Sequence, residues 1–331
     1  MDLQGRKVLV AGAAGFVGSN LIPRLLDAGA VVRAALHESG ARVDDSRIEY
    51  VTADLTLKED CERVVQDQEI FFNCAANTSG AATIAATPMA HVTPNVVMNS
   101  LTLEAAHQAG VGKYIWMAST TGYPVSGDRP VTEDEMLEGV PFEKYHFVGW
   151  MKRFTEVLCE MYGNRLNPSM TTLVLRPTNI YGPMDDYEPA TSHVTAALIR
   201  KVVERQDPLE VWGDGHDVRD VVYIDDMVEA MIAAAASDIT GYEAMNIGLG
   251  KAYSVRELLT FMREIDQFSD AQIEFNADRP TMIPVRLVDV SKAKRLLGFE
   301  PSVGIEEGLK RTIEWYRSQR EISAPTPDAG S

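Results

Sequence analysis

The chain has 331 residues, 45% hydrophobic and 24% charged, which suits one large or two closely packed globular domains and excludes a low-complexity chain. With 48 acids against 31 Lys plus Arg the formal charge is −17, a field that repels nucleic acid and anionic membrane, so an anionic ligand has to be met by local basic groups. Cys61, Cys74 and Cys159 show no metal spacing, no apolar run approaches the ~18 residues of a membrane span, and no signal-peptide core precedes the first strand. A cytoplasmic protein without metal, nucleic-acid or membrane partner is the expectation.

Val8 to Ala11 reads as a buried strand, Gly12, Gly15 and Gly18 as a G-x-x-G-x-x-G turn, and Phe16 to Ala28 as an amphipathic helix. Such a turn lets backbone approach a pyrophosphate, and the helix N-terminus aims unpaired N–H groups at it. A plain tight turn is the alternative. Pro23 falls inside the helix and should kink or shorten it. Val31 to Leu36 is the second strand. Where an NAD site keeps an acid for the ribose 2′-hydroxyl, this chain has Leu36-His37 with Arg33 and Arg42 nearby. That points to NADP, while Glu38 keeps NAD open.

Ile48 to Thr52 reads as a third strand, followed by Asp54, which either contacts the adenine or caps the next helix. Glu69 to Asn73 is a fourth strand ending in Cys74-Ala75-Ala76, small residues that let backbone lie against a cofactor. A helix is expected over Asn95 to Ala109. The strand Lys113 to Ala118 then delivers Ser119-Thr120-Thr121 at its C-terminal end, the edge where open α/β sheets bind ligands. Glu143 to Tyr162 reads as one long helix with Lys152 inside it, and Thr171 to Leu175 as a strand leading into Arg176-Pro177-Thr178-Asn179-Ile180-Tyr181-Gly182-Pro183.

Beyond this the spacing predicts a helix from about Ser192 to Arg205, a turn at Trp212 to Gly215, a helix capped by Asp225 through Ala236, and a capping box at Ser254 and Glu257. Alternating strands and helices argue for an α/β chain with a Rossmann-type doubly wound parallel sheet. The expected division is a cofactor-binding domain over 1–183, joined by part of 216–240, then a smaller C-terminal α/β substrate-binding domain over 184–317. A disordered tail is expected over 318–331.

These motifs resemble the extended short-chain dehydrogenase/reductase superfamily over about residues 5 to 317. Asn95, Tyr223 to Asp226, Asn246-Ile247-Gly248, Asp289 to Ala293, Leu297-Gly298-Phe299 and Trp315-Tyr316 complete the pattern. Within the superfamily, Pro177 to Pro183, Thr191 to Val194 and Val211-Trp212-Gly213 are most similar to the GDP-L-fucose synthases. The resemblance implies that NADP, or NAD, is held by Gly12, Gly15, Phe16, Val17, Gly18, His37, Asp54, Leu55, Ala75, Ala76, Lys152, Pro177, Asn179 and Ile180. It implies a nucleotide-diphosphate sugar, a GDP-linked keto-deoxysugar first, at Thr121, Asn179, Val194, Leu198, Lys201, Trp212, Arg219 and Arg279. Lys201 and Arg219 suit a diphosphate chemically, or are solvated charges; Trp212 faces the ligand or fills the core.

The same resemblance implies that Ser119, with Thr120, hydrogen-bonds the sugar oxygen. Lys152 holds the nicotinamide ribose and lowers the pKa of a tyrosine four residues upstream. Here that position is Val148, which cannot transfer a proton. Tyr145 and His146 either enter the site beside Gly149 or stay at the surface. Thr121 stands where the synthases pair a cysteine with the histidine matched by His193, so double epimerisation by that route is not expected. His193 protonates or orients the sugar, or is structural. Three classes follow: a nucleotide-sugar oxidoreductase or epimerase with an atypical acid/base, a binding protein without turnover, and an enzyme of another substrate on the same scaffold. The resemblance also implies a homodimer built on the helix after Pro94 and the helix of Lys152, with Phe147, Met151, Phe154 and Leu158 either at its face or in the core.

Overall fold

Apolar runs that need cover on both faces build the centre of the molecule. The computed structural model describes residues 2–77, 87–279 and 281–321. In it β1 (Lys7–Ala11), β2 (Val31–Leu36), β3 (Glu49–Thr52), β4 (Ile70–Asn73), β5 (Lys113–Met117), β6 (Thr171–Pro177) and β11 (Tyr242–Ile247) join in one seven-stranded sheet. The order is β11-β6-β5-β4-β1-β2-β3 and every neighbouring pair is parallel. Along β1, Val8 and Val10 pack with α1 (Phe16–Asp27) and with the helix Ile224–Ala236. Leu9 and Ala11 point the other way, onto α2 (Lys58–Val64), α3 (Pro88–Gln108) and α4 (His146–Glu160). The strand order reverses between β1 and β4, which makes the C-terminal ends of these strands the crevice where doubly wound sheets take ligands.

The rest of the chain forms small sheets above that crevice. β7 (Asn179–Tyr181) pairs with β10 (Val221–Tyr223), and β8 (Leu209–Trp212) with β13 (Ile273–Asn276). A third sheet has the order β12 (Tyr253–Ser254), β9 (Val218–Arg219), β14 (Val285–Arg286). Around them pack α5 (Val194–Val203), α7 (Val255–Ile265) and α9 (Ile305–Gln319), while α6 is the helix Ile224–Ala236 already placed on the large sheet and α8 (Ser291–Leu297) packs against α6 and β11. Residues 224 to 247 thus give the large sheet both a helix and an edge strand, reaching past the expected 216–240.

Several expected boundaries move. α1 runs unbroken through Pro23 because buried Leu21, Ile22, Leu25 and Leu26 hold it against the sheet. α3 begins at Pro88, seven residues before Asn95, since proline is tolerated in a first turn whose N–H groups lack partners anyway. The helix expected over Glu143 to Tyr162 is three pieces: a 3₁₀ turn at Glu143–Tyr145, α4, and a π turn at Met161–Arg165. Tyr223, not Asp225, caps α6, which leaves Asp225 in the first turn, where its charge still complements the helix dipole. The capping box at Ser254 and Glu257 is formed, with the Glu257 carboxylate accepting from Ser254 N at 2.7 Å. α9 continues through Ser318 and Gln319, and residues 322–331 of the expected tail lie outside the described residues.

Candidate active site

The glycine turn is built from backbone contacts that leave no room for a side chain. Gly12 has φ +73°, and a Cβ there would lie 2.7 Å from the backbone of Cys74 and Ala75; one on Gly18 would lie 2.3 Å from the Gly12 carbonyl. Gly15 caps α1 in an extended conformation with no side-chain hydrogen bond, so the N–H groups of Phe16, Val17 and Gly18 stay uncommitted, as an anion site requires. Ala75 and Ala76 follow β4 across from this turn; the Asn73 side chain accepts from Ala75 N at 3.1 Å. Asn95 fixes the next stretch through paired hydrogen bonds with the Asn77 backbone.

At the end of β2 the exposed His37 ring lies 4.0 Å from an Asp54 carboxylate oxygen. The other Asp54 oxygen accepts from Thr56 N at 2.9 Å and the Thr56 hydroxyl at 2.6 Å, a turn that leads into α2, and Leu55 beside it is buried. Asp54 thus shapes the turn rather than capping the helix, whose cap is Leu57. Arg33 is removed from the cofactor side: it pairs with Glu49 at 2.8 Å and donates to the Val64 and Gln66 carbonyls. Arg42 donates to the Met184 carbonyl.

Ser119, Thr120 and Thr121 follow β5 into a 3₁₀ turn in which the Ser119 hydroxyl accepts from Thr121 N at 3.2 Å. The buried hydroxyls of Thr121 and Thr178 have no hydrogen-bond partner among the described residues. α4 packs directly on this turn, since a Cβ on Gly149 would lie 2.8 Å from the Thr121 carbonyl. Val148 is buried on the same side. Lys152 rests with its ammonium 4.9 Å from the Trp116 ring centre. Burial pushes its pKa down to about 8, against the opposing pull of Glu156. His91 on α3 is buried, and burial together with the Lys152 charge lowers its pKa.

Tyr145 is half-buried and does not lie beside Lys152. It sits at the N-cap of α4, two turns before the lysine, and the charges that act on its phenol belong to Arg219, Arg286 and Asp217. Burial is the largest influence and raises its pKa, so the phenol stays neutral. His146 points outward, exposed, with its ring against Phe147 and Trp150.

The small sheets carry two groups of basic residues. Arg219 and Arg286 are register partners in the β9–β14 pair, and both are buried. Arg219 bonds Asp217 at 3.0 Å and the Val218 and Pro284 carbonyls. Arg286 donates to the carbonyls of Tyr123 at 3.2 Å and Pro124 at 3.0 Å, the residues just after the Ser119–Thr121 turn. In the second group Glu210 draws Lys201 and Arg279 together, with the Arg279 guanidinium 5.3 Å from the ring centre of half-exposed Trp212. Asn179 and Ile180 are half-buried on β7 after Pro177. Val194 opens α5 half-buried, whereas Leu198 is packed in the main core. His193 is the N-cap residue of α5 but makes no side-chain cap; protein crowding lowers its pKa and Asp186 opposes this.

Sequence reasoning missed Arg286, Trp116 and His91. Arg286 belongs to no motif; its only signal was a charge inside the apolar run Ile283 to Val288. Of the four residues expected at a dimer face or in the core, Met151 is buried and Leu158 half-buried, while Phe147 and Phe154 are exposed along with Trp150 and Val157.

A family model described as the NAD dependent epimerase/dehydratase family matches residues 8–248. The chain is 28% identical to "Probable GDP-L-fucose synthase 1" of Oryza sativa subsp. japonica, over 95% of this chain and 92% of that protein. It superposes on UDP-glucose 4-epimerase of Thermotoga maritima, solved with UDP-glucose, with a TM-score of 0.84 and 28% identity, over 95% and 99% of the two chains. UDP-glucuronic acid 4-epimerase of Bacillus cereus, in complex with UDP-glucuronic acid and NAD, gives a TM-score of 0.82 and 26% identity over 95% and 99%.

Proposed function

The chain belongs to the NAD dependent epimerase/dehydratase family, and within it we propose an NAD(P)-dependent oxidoreductase or epimerase that acts on a nucleotide-diphosphate sugar. One observation carries the reading. α4 carries Lys152, whose ammonium lies 4.9 Å from the Trp116 ring centre, and at its N-cap, two turns upstream, Tyr145, whose phenol feels the charges of Arg219 and Arg286, which supports one helix running between a cofactor side and an anion side.

The glycine turn fits a dinucleotide, which supplies hydride transfer when bound. Gly12, Gly15, Phe16, Val17 and Gly18 hold its pyrophosphate, His37, Asp54 and Leu55 its adenosine, and Ala75, Ala76, Lys152, Pro177, Asn179 and Ile180 its nicotinamide half. The absence of an acid at Leu36-His37 supports NADP ahead of NAD. Lys201, Trp212, Arg219 and Arg279 take the nucleotide diphosphate, with Val194, Leu198 and Asn179 shaping its pocket. Ser119 and Thr120 hydrogen-bond the reacting sugar oxygen, and the unpartnered Thr121 hydroxyl faces the same sugar. With valine at position 148, the proton comes from Lys152, whose ammonium has a pKa of about 8, passed through the Ser119 and Thr120 hydroxyls. Tyr145 donates a hydrogen bond as a neutral phenol, and His193 orients the sugar. Three free cysteines support a reducing, cytoplasmic setting, and a second copy of this chain is the partner that covers the exposed face of α4.

Val148 favours a second reading, a protein that binds cofactor and nucleotide sugar without turnover. The deciding experiment uses NADPH, then NADH, deuterated at nicotinamide C4, with GDP-4-keto-6-deoxymannose and with a UDP-4-keto-sugar. Mass spectrometry should find deuterium on the sugar, and Ser119→Ala should slow transfer by roughly 100-fold. Calorimetric binding of both ligands with no transfer supports the second reading. Binding of neither sugar nucleotide points to another substrate class.

A further inference from the structure

Among the described residues most cations around the proposed site have a carboxylate partner, while Lys152, Arg153 and Arg286 make no ion pair; Arg153 spends its donors on the carbonyls of Gly122, Glu138 and Gly139. Asp217 answers Arg219, and Glu210 answers Lys201 and Arg279. Arg286 is 5% exposed, yet among the described residues it makes no ion pair; its two hydrogen bonds go to the neutral carbonyls of Tyr123 and Pro124. Its register partner is another arginine. Glu135, the carboxylate whose field reaches it, is held by two hydrogen bonds to Arg129 at 2.8 and 2.6 Å and two to Thr132. An uncompensated buried guanidinium beside a second cation is unfavourable unless an anion arrives with the ligand.

The position of Arg286 says which part of the ligand brings it. Its anchors follow the Ser119–Thr121 hydroxyls, the sugar end of the proposed site, whereas Lys201 on α5, Trp212 on β8 and Arg279 just after β13 form a group of their own around Glu210. The phenol of Tyr145, kept neutral by burial, lies within reach of the Arg286 charge and is the second donor proposed for the same anion. A planar guanidinium with donors left over suits a carboxylate. We propose that Arg286, seconded by Tyr145, is a specificity-determining residue for a carboxylate on the sugar, so that the substrate is a nucleotide-linked sugar acid. This rests on the nucleotide-sugar reading above and narrows it.

Titration calorimetry on the full chain with NADP tests it, using UDP-glucuronic acid, its methyl ester, UDP-glucose and UDP, and then GDP-mannuronic acid, GDP-mannose and GDP. The acid should bind at least tenfold tighter than its neutral counterpart in one nucleotide series, and esterification should abolish the preference on the wild-type protein alone. Arg286→Met should bring the acid-to-neutral ratio close to one, and Arg286→Lys should restore part of it. Equal affinity for acid and neutral sugars overturns the proposal and leaves the nucleotide-sugar reading standing. So does an Arg286→Met protein that loses UDP and both sugars by one common factor, which would make Arg286 a diphosphate ligand. Failure of every nucleotide and nucleotide sugar to bind overturns both together.

Discussion

Four residues before Lys152, α4 presents a buried isopropyl group that can neither give nor take a proton. In the proposed function Lys152 is the acid, since burial disfavours its ammonium and brings its pKa down to about 8. The active form is the protonated one, so the rate of hydride transfer should be level below neutrality and fall about tenfold per pH unit as pH rises through that value. Val148→Tyr places a phenol one turn from Lys152 on its own helix face, and a proton source matched to the reaction is worth roughly 10²-fold or more. Turnover against pH for both proteins, with melting curves as a check on folding, measures this. A wild-type rate indifferent to pH from 6 to about 10 would remove Lys152 from the role, and a folded Val148→Tyr protein with no gain would mean that the site differs in shape as well as in residue type. The missing phenol was readable from the sequence because one helix fixes its spacing to Lys152. The surroundings of Tyr145 were not, since the arginines whose charges act on it lie on strands β9 and β14, more than seventy residues away in the chain.

Between elements, one buried network decides how α4, β6, β11 and the loop after Thr121 sit together. Arg176 on β6 bonds Glu156 on α4 through Nε at 3.0 Å and through a second, closer contact, and it also donates to the Tyr123 hydroxyl at 2.7 Å and the Glu133 carbonyl at 2.8 Å. The Tyr123 hydroxyl in turn donates to Asn246 on β11 at 2.7 Å. Tyr123 also supplies a carbonyl to Arg286, so the network sets the floor under that guanidinium. Both Arg176 and Glu156 are almost wholly buried, and removing one partner strands the other's charge. Glu156→Leu should cost about 3–5 kcal/mol in urea unfolding, and the double replacement Arg176→Met with Glu156→Leu should recover most of it. A single variant as stable as wild type would show the pair to be dispensable. The sheet itself was legible because each strand is a local apolar run and its cover is imposed by alternation. This network was not: Arg176 and Asn246 stand out in the sequence only as parts of motifs, and their partners Glu156 and Tyr123 are 20 and 123 residues distant. Pairings of that kind come from the topology.

At the scale of the whole molecule, a strongly acidic protein leaves one stripe of large apolar side chains in water. Phe147, Trp150, Phe154 and Val157 recur along α4 at the spacing of a single helix face, between 45% and 61% exposed, and α3, packed beside α4, adds Met89 and Val97. Val148, Glu156 and Cys159 on the opposite face are buried, so the core does not need the stripe. A second copy related by a two-fold axis would bring like faces together, and an interface of the usual ~1,600 Å² lies within reach of two paired helices. Light scattering should therefore give twice the 36.4 kDa of one chain at micromolar concentration. Phe147→Glu with Phe154→Glu should return it to the monomer without lowering the melting temperature of dilute protein. With −17 charges on each copy, repulsion opposes the pairing, so added salt should tighten the dimer rather than loosen it. A wild-type protein that stays monomeric at high concentration and high salt would leave the α4 stripe without its partner. The same two substitutions also separate assembly from chemistry: they lie on the outer face of the helix whose inner face carries Val148 and Lys152. A monomer that keeps hydride transfer would show each cleft to be complete within one chain, and one that loses it would tie the placement of Lys152 to the support that the partner gives α4.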